Sequence, residues 1–301
     1  MKLIIDEYSE GKRIDIFLAE FLQDYSRSKI QSVIKNGDVL INSRVVKSSY
    51  LLKEDDSIDV NISLLSQDKK VQPELIPLEV VWEDENMAVI NKPSGMLSHP
   101  TTLEMNNTLV NALLHLYGEE NLSDINGDMR RGIVHRLDRN TSGLIMIAKN
   151  NKTHEFLVQE MKERNFVKKY RAIVKGVVEK DEFVIDFPLG RHLTQPHKQA
   201  VREDGKDAIT KVKVLERYKD ATSLELNLIT GRTHQIRVHL SSIGHPVYND
   251  TLYGFGKMKI KTEEQVLQAY KLEFTKPFTK ERIFLEIAPD EKFLKVQNML
   301  K

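Results

Sequence analysis

The sequence predicts an α+β protein, with a mixed, largely antiparallel central sheet, covering helices and a small N-terminal helix-helix-hairpin domain. Short β-rich runs recur from about residue 78 onward with short turns between them, a pattern typical of neighbouring strands. Helical periodicity is rarer there, and 301 residues suffice for a small domain and a larger one. We expect these domains at 1–62 and 78–301, joined by a linker over 63–77 that mixes Ser, Gln, Lys and Pro with little periodicity.

The N-terminal domain is predicted to contain two helices and a hairpin. The first helix has one apolar face, formed by Ile14, Phe17, Leu18, Phe21 and Leu22. The second helix has Ser26 as its candidate N-cap and ends at Asn36-Gly37. Strands over 39–41 and 45–46 then flank a turn at 42–44, which completes a small core.

The same domain carries a basic side. Residues 26–47 contain five basic side chains and a single acid, Asp38, and we expect Arg27, Lys29 and Lys35 to point outward. The arrangement resembles the small RNA-binding domain first known from a ribosomal small-subunit protein, mainly through 26–31 and 36–42. The resemblance implies that Arg27 and Lys29 bind RNA. The alternative is a dimerisation or docking module whose basic side is only solvated.

In the larger domain, six β-rich runs and two helical patterns are distinct. The runs are 80–82, 87–90, 144–148, 170–174, 209–214 and 224–229. The helical patterns are 108–117 and 153–164. A second basic segment, 161–176, contains six basic residues against Glu163. Although the net charge of the chain is only +1, two such segments favour a polyanionic partner.

Residues 132–148 form the most informative segment. Asp138 lies in a polar turn between two short apolar runs, which we expect to be two strand-like segments joined by a loop. Arg136 and Arg139 lie beside it. Such a carboxylate stays ionised, because nearby positive charge favours the charged form. It is suited to act as a nucleophile or a base rather than as an acid.

Residues 169–176 alternate along a predicted strand. Tyr170 shares one face with Ala172 and Val174, and Arg171 lies on the other face. From these residues alone, a core role for Tyr170, with its hydroxyl bonded to a partner, is favoured.

Residues 231–240 are dense in polar groups, with two Arg, two His and one Gln. Backbone hydrogen bonds are the simple explanation for the histidines. Arg237 is suited to pair with a carboxylate, because its guanidinium presents a planar fork. The loop 91–100 is interpreted as a structural turn, with a role in shaping the rim of a site as the alternative.

Several kinds of site are disfavoured. A metal is not expected, because the chain has no cysteine and His234 and His239 lie five residues apart rather than four. A kinase is rejected, because Leu137 separates Arg136 from Asp138 and no phosphate-covering glycine loop is present. A glycosidase needs two cooperating carboxylates, and only Asp138 is distinctive.

Composition restricts the expected location. No apolar run approaches the ~20 residues that span a bilayer. The N-terminal residues become acidic too early for a secretory signal. The lack of cysteine is compatible with a reducing compartment. We expect a cytoplasmic protein with no membrane contact.

From these motifs together, the chain is identified as a member of the RluA-type family of RNA pseudouridine synthases. The matching segments are 135–143, 170–176, 231–239 and 244–250, with support from 91–100 and 267–274. The resemblance implies isomerisation of uridine within RNA, without cofactor or metal. The glycosidic bond breaks, the uracil turns, and a carbon–carbon bond forms to the same ribose.

The resemblance also implies roles for individual residues. Asp138 matches the catalytic aspartate, which either attacks the anomeric carbon or abstracts a sugar proton. Tyr170 matches the tyrosine that stacks near the base and removes the proton from ring carbon 5. Arg237 matches the arginine that pairs with the aspartate. Arg136 matches an arginine that holds the place of the extruded nucleotide.

Arg139 and Arg232 complete the predicted RNA contacts. The predicted substrate is ribosomal RNA, with the large subunit favoured and transfer RNA as the alternative. A second hypothesis is a non-catalytic RNA-binding or ribosome-assembly factor that retains the fold. Nothing in the sequence requires more than a monomer. Gln268 and Lys276 replace histidines common in the family, which we connect with the choice of RNA.

Overall fold

In a computed structural model, the chain divides into two compact units, 1–70 and 71–301. The structure describes residues 1–7, 9–22, 25, 27–61, 70–101, 103–195, 197–256 and 258–301. Ser26, the predicted N-cap, and 63–69 of the predicted linker lie outside these residues. The second unit begins at Val71, which is buried in the main core of that unit.

The first unit contains two helices and a four-stranded sheet. Its elements are β1 (Lys2–Ile4), α1 (Ile14–Phe21), α2 (Arg27–Asn36), β2 (Val39–Ile41), β3 (Arg44–Val45) and β4 (Ser57–Val60). The strands are antiparallel in the order β1-β4-β2-β3. The predicted helices and hairpin are confirmed. The turn is shorter than predicted, because Asn42 and Ser43 (φ 49° and 65°) form a two-residue connection of the kind that matches strand twist.

The second unit contains the remaining elements. The helices are α3 (Leu109–Tyr117), α4 (Asn151–Lys162), α5 (Gln235–Ser242) and α6 (Glu291–Leu300). The strands are β5 (Glu79–Glu83), β6 (Met87–Lys92), β7 (Ser142–Ala148), β8 (Val167–Lys175), β9 (Glu182–Asp186), β10 (Leu189–Arg191), β11 (Gln199–Val201), β12 (Ile209–Arg217), β13 (Ala221–Leu228), β14 (Leu267–Thr275) and β15 (Arg282–Glu286).

Nine of these strands form one sheet, in the order β5-β6-β7-β14-β8-β13-β12-β9, with β15 also paired to β14. Every pairing is antiparallel except that of β7 with β14. Gly143 permits this parallel pairing, because a Cβ atom there would lie 2.1 Å from the carbonyl oxygen of Ala269. The predicted mixed, largely antiparallel sheet with covering helices is confirmed.

The centre of this sheet is covered on both faces. All seven residues of β7 are buried, and those at 144–148 alternate between two apolar clusters. In β8, Tyr170 and Ala172 belong to the larger cluster, whereas Ile173 belongs to a third. The predicted alternation of 169–176 is therefore confirmed.

One local prediction is wrong. The segment before Asp138 is not a strand, since only Ile133 forms an isolated bridge, to Ile147. The ring Nε2 of His135 instead accepts the backbone N–H of Met146 at 3.0 Å. The imidazole of His135 thus accepts a backbone N–H that a neighbouring strand would otherwise accept. The chain stays irregular up to β7. Within the described residues, no helix has the length and apolar character needed to cross a membrane.

Candidate active site

A cavity of about 680 Å³ lies between the loop before β7, strand β8, the end of β13 and helix α5. Asp138, Tyr170 and Arg237 all line it. The three come from parts of the chain about 30 to 100 residues apart, so only the fold brings them together. The sheet and α5 are rigid elements, and they position a loop carboxylate against a strand phenol and a helix guanidinium.

Arg237 binds two carboxylates. Its Nη1 donates to Asp138 Oδ2 at 3.0 Å, while Nε and Nη2 donate to the two oxygens of Asp250 at 2.7 and 3.0 Å. The side chain of Asp250 is fully buried, and its Oδ1 also accepts two backbone N–H groups, from Leu252 and Tyr253. Burial opposes the charge of Arg237, but the carboxylate of Asp250 dominates and raises the pKa of Arg237. The predicted pairing with a carboxylate involves Asp250 as well, a residue that the sequence reasoning missed although it ends the 244–250 motif.

The turn before α5 is fixed by Gln235. Its side-chain oxygen accepts from Thr230 Oγ1 and from the backbone N–H of Arg232, at 2.8 and 2.9 Å. Its amide nitrogen donates to Thr210 Oγ1 and to the backbone oxygen of Ile209, both at 3.0 Å. Because the side chain of Gln235 joins the turn to β12, the first turn of α5 enters the cavity at a fixed position.

The two histidines of this segment differ. His239 is fully buried, and its Nε2 lies 3.0 Å from the backbone oxygen of Phe187, as the simple explanation expects. His234 has a left-handed backbone (φ 56°), and its Nε2 lies 3.9 Å from Asp138 Oδ1. Its Nδ1 lies 2.7 Å from the hydroxyl of Tyr253. Burial lowers the pKa of His234 although Asp138 opposes this, so the imidazole is neutral near pH 7.

Tyr170 is both a core residue and a cavity residue. It is 6% exposed, belongs to the main apolar cluster and lines the cavity with Asp138. Burial, and then the negative charge of Asp138, raise the pKa of Tyr170 well above its usual range. Its side chain is therefore a neutral phenol in the free protein at pH 7.

The loop after β6 holds the main chain around Asp138. The hydroxyl of Ser98 donates to the carbonyl oxygen of Leu137 at 2.8 Å and accepts its N–H at 3.1 Å. Lys92 Nζ donates to the carbonyl oxygen of Arg139 at 3.1 Å, and Ser94 Oγ donates to that of Asn140 at 2.8 Å. The loop 91–100 therefore has a structural role that also shapes the site.

The predicted RNA-contacting arginines do not all meet at the cavity. Arg136 and Arg232 line it, and Arg232 Nε donates to the backbone oxygen of Asp207 at 2.9 Å. Arg139 is not among the lining residues and forms an ion pair with Glu104.

Arg27 and Lys29 belong to the first unit. Arg27 donates to the fully buried carboxylate of Asp15, which Arg13 and Gln31 also contact. The side chain of Arg27 nevertheless stays 49% exposed.

The charge of the cavity lining is strongly one-sided. Asp138 is its single carboxylate among the described residues, and its cations are Arg136, Lys162, Arg164, Lys168, Arg232 and Arg237. The sequence placed Lys168 only within a basic segment. Its alternation with Tyr170 was the signal that could have placed it here. In the described part of the chain, no group of three or more His, Cys, Asp or Glu side chains is placed to hold a metal ion.

The chain is similar to proteins of one enzyme family. Residues 86–242 match the family described as RNA pseudouridylate synthase, and residues 12–58 match the S4 domain. An uncharacterized RNA pseudouridine synthase of Aquifex aeolicus is 42% identical, over 97% of this chain and 95% of the relative. The ribosomal large subunit pseudouridine synthase D of Xanthomonas campestris is 36% identical, over 93% of this chain and 86% of the relative.

A solved structure has the same fold. The human RNA pseudouridylate synthase domain containing 1 protein superimposes with a TM-score of 0.59 at 25% identity, covering 71% of this chain and 84% of that one. The chain belongs to the RNA pseudouridylate synthase family and is an enzyme of that class with an N-terminal S4 domain.

Proposed function

We propose that this pseudouridine synthase modifies large-subunit ribosomal RNA, with Asp138, Tyr170 and Arg237 as its catalytic residues. The observation that carries the proposal is the convergence of these three side chains on one cavity whose other charged groups are all basic. A cationic cavity suits a nucleotide within a polyanion. The name of the Xanthomonas campestris relative supports the large subunit as the source of the RNA. All three residues come from one chain, so we expect the enzyme to act as a monomer.

The proposed role of Asp138 rests on its hydrogen bond to Arg237. A carboxylate held by a guanidinium keeps its charge and a fixed direction. It either attacks the anomeric carbon of the uridine or removes a sugar proton, and both routes need the ionised oxygen that faces the cavity. Either route divides a difficult rearrangement into easier steps.

Tyr170 is proposed to remove the proton from carbon 5 of the uracil, once the new carbon–carbon bond has formed. The phenol is protonated in the free enzyme, partly because of the negative charge of Asp138. The new bond to the anomeric carbon displaces Asp138 from any ester formed there, so Asp138 is a carboxylate again at this step. To act as the base, Tyr170 first gives its own proton to the uracil ring nitrogen that the sugar has left, and its phenolate then takes the proton from carbon 5.

The target uridine must leave its stack to enter the cavity, at a cost of a few kcal/mol. Arg136 lines the cavity and is exposed, and within the described residues its side chain has no hydrogen bond or ion pair. We propose that Arg136 occupies the place of the extruded nucleotide and contributes to this cost.

The test of the chemistry uses RNA with tritium at carbon 5 of uracil. The Asp138→Asn enzyme should release tritium at least about a thousandfold more slowly than wild type, because the amide is neither a nucleophile nor a base. Asp124→Asn is the control, since Asp124 is exposed and outside the cavity. Equal release by wild type and Asp138→Asn would refute the catalytic assignment.

The test of the substrate supplies large-subunit ribosomal RNA, small-subunit ribosomal RNA and transfer RNA to the same enzyme. We expect pseudouridine in the large-subunit RNA alone. Modification of transfer RNA instead would support the alternative substrate. Binding of RNA without pseudouridine in any of the three would support a non-catalytic assembly factor.

A further inference from the structure

We propose that Lys168, together with Lys162 and Arg164, forms a phosphate subsite of the cavity, which binds the phosphodiester next to the target uridine. These three residues are called the basic corner below. The inference rests on the proposed function, because it assigns part of the RNA to one end of the same cavity.

The position of Lys168 follows from strand geometry. It lies two residues before Tyr170 on β8, so both side chains are on one face, about 7 Å apart along the strand. Both line the cavity. One nucleotide can therefore contact Tyr170 with its base and the basic corner with its phosphate.

Lys168 has no anionic partner among the described residues. Its ammonium lies 3.4 Å from Met161 Sδ and 5.8 Å from the centre of the Phe166 ring, which are weak partners for a cation. Burial lowers the pKa of Lys168 to about 8. A partly buried ammonium without a carboxylate is costly, and a bound anion would offset that cost.

Among the described residues, the elements around Lys168 supply further cations, and the acids there have other partners. Lys162 ends α4, and Arg164 lies in the turn before β8; both are exposed and line the cavity. Glu160 and Glu163 of the same segment accept hydrogen bonds from Asn165.

The other titratable groups near Lys168 are equally unsuited to pair with it. On β14, Glu273 faces Lys271. His135 faces Lys168 from the loop before β7, and burial together with the charge of Lys168 lowers the pKa of His135, which keeps it neutral. Three cations without a carboxylate are suited to bind a phosphodiester, because it is negatively charged. A uracil carbonyl is neutral and would not balance their charge.

The experiment measures KM, kcat and RNA affinity for Lys168→Met, with Lys213→Met as control. Lys213 is also a strand lysine, but it is exposed, paired with Glu182 and outside the cavity. Lys168→Met should raise KM and Kd about tenfold and leave kcat within about twofold, because the variant cannot bind that phosphate. Lys213→Met should change none of these.

Two RNAs with a neutral methylphosphonate, on the 5′ or the 3′ side of the target uridine, locate the contact. On one of the two RNAs, the wild-type enzyme should show the same increase in KM that Lys168→Met shows on natural RNA. On that RNA, the Lys168→Met substitution should not raise KM any further. An undiminished effect of Lys168→Met on both RNAs would overturn the proposal, as it would indicate a contact to the base or a structural role. Wild-type affinity of Lys168→Met for natural RNA would also overturn it.

The pH profile gives an independent readout. The wild-type KM should rise above about pH 8, as Lys168 loses its proton, whereas Lys168→Arg should show no such rise, because arginine stays protonated. A flat wild-type profile would contradict the phosphate contact. Affinity is measured directly, so a wild-type enzyme that binds RNA but forms no pseudouridine would refute the proposed function and leave the subsite to be judged by Kd.

Discussion

Arg237 donates to two carboxylates that differ in exposure. Asp250 is fully buried and holds two donors of the guanidinium, while Asp138 is 16% exposed and faces the cavity with one. A guanidinium has five N–H donors in a fixed plane, so fixing it from one side determines where the remaining donors point. Asp250 thus fixes the guanidinium of Arg237, and we expect it to act on the RNA as a positioning residue, through Arg237 and Asp138.

Replacing Asp250 by Asn tests this arrangement. The amide nitrogen would face the donors of Arg237, so a buried hydrogen-bond pair becomes a donor–donor contact. We expect a loss of about 2–4 kcal/mol in the free energy of unfolding and a fall in kcat of about tenfold or more. Denaturant unfolding and tritium release measure the two effects. Asp220→Asn is the control, because Asp220 is 42% exposed and pairs with Lys259 at the surface.

The same variant has an expected pH dependence. Burial would raise the pKa of Asp250, but hydrogen bonds from Arg237 dominate and lower it. The stability that this carboxylate adds is therefore present above the ordinary pKa of Asp, ~3.9, and is lost as the pH falls below it. The stability difference between wild type and Asp250→Asn should shrink in acid, and a difference that grows there would contradict the assignment.

The face on which a residue lies could be predicted from the sequence better than the residues that it contacts. The sequence predicted that Tyr170 shares a face with Ala172, and it could not show that this face also borders a cavity. The contacts of Asp250, His234 and Lys168 exist only in the tertiary structure. His234, for example, approaches Asp138 to 3.9 Å from 96 residues away in sequence.

At the level of elements, the loop after β6 and the loop before β7 behave as one unit. Lys92, fully buried, donates to the carbonyl oxygens of Pro93, Met96 and Arg139, which ties both loops together. Burial, and then the charge of Lys292, lower the pKa of Lys92 to about 7. The three bonds need the three N–H groups of the ammonium, so the protonated form of Lys92 joins the two loops.

Lys92→Met should remove that donor and leave three carbonyl oxygens without it. We expect a loss of about 2–4 kcal/mol in stability and a fall in kcat of about tenfold, since Asp138 loses its fixed position. Lys149→Met is the matched control, because Lys149 is 14% exposed and also donates to a backbone oxygen, that of Asp84, at the far end of β7. The control should lose stability and keep its kcat. A folded Lys92→Met enzyme with the kcat of the control would show that the two loops are not coupled in function.

Elements with a clear local pattern could be predicted, and elements defined by distant pairing could not. All six predicted strands of the larger unit and both of its predicted helices exist, with ends shifted by a few residues. Helix α5 was missed because 235–240 are buried on all sides, which removes the amphipathic period. The segment before Asp138 was wrongly expected to be a strand, since its apolar residues pack without a partner ladder. The periodicity of a sequence indicates which residues are buried. It does not indicate which neighbouring element buries them.

For the whole molecule, the net charge of +1 conceals how charge is distributed. The cavity of the second unit has six cations and one carboxylate among the described residues. The first unit has a basic helix, α2, in which Arg27 is engaged with Asp15 while Lys35 is exposed. RNA affinity is therefore expected to come from two local surfaces rather than from a field of the whole protein, and to weaken as salt rises.

The contribution of the S4 domain is best tested without Arg27. Burial opposes the charge of Asp15, but hydrogen bonds from Arg13, Gln31 and Arg27 lower its pKa, so reversing the charge of Arg27 would leave a buried carboxylate with fewer donors. That variant would mix a loss of stability with a loss of affinity. Replacing Lys29 and Lys35, which lie on the same helix, changes the charge of that helix and keeps Arg27.

Lys29→Glu combined with Lys35→Glu should raise KM for RNA about tenfold at low salt and leave kcat unchanged, because the chemistry lies in the other unit. The dependence of log affinity on log salt should become shallower by about two, since each lysine neutralises about one phosphate. The control reverses two exposed lysines of the second unit outside the cavity, Lys219→Glu with Lys295→Glu, and changes the net charge equally. If both double variants weaken binding to the same extent, the S4 domain acts only through its overall charge. If only the first does so, α2 is a specific RNA-binding surface.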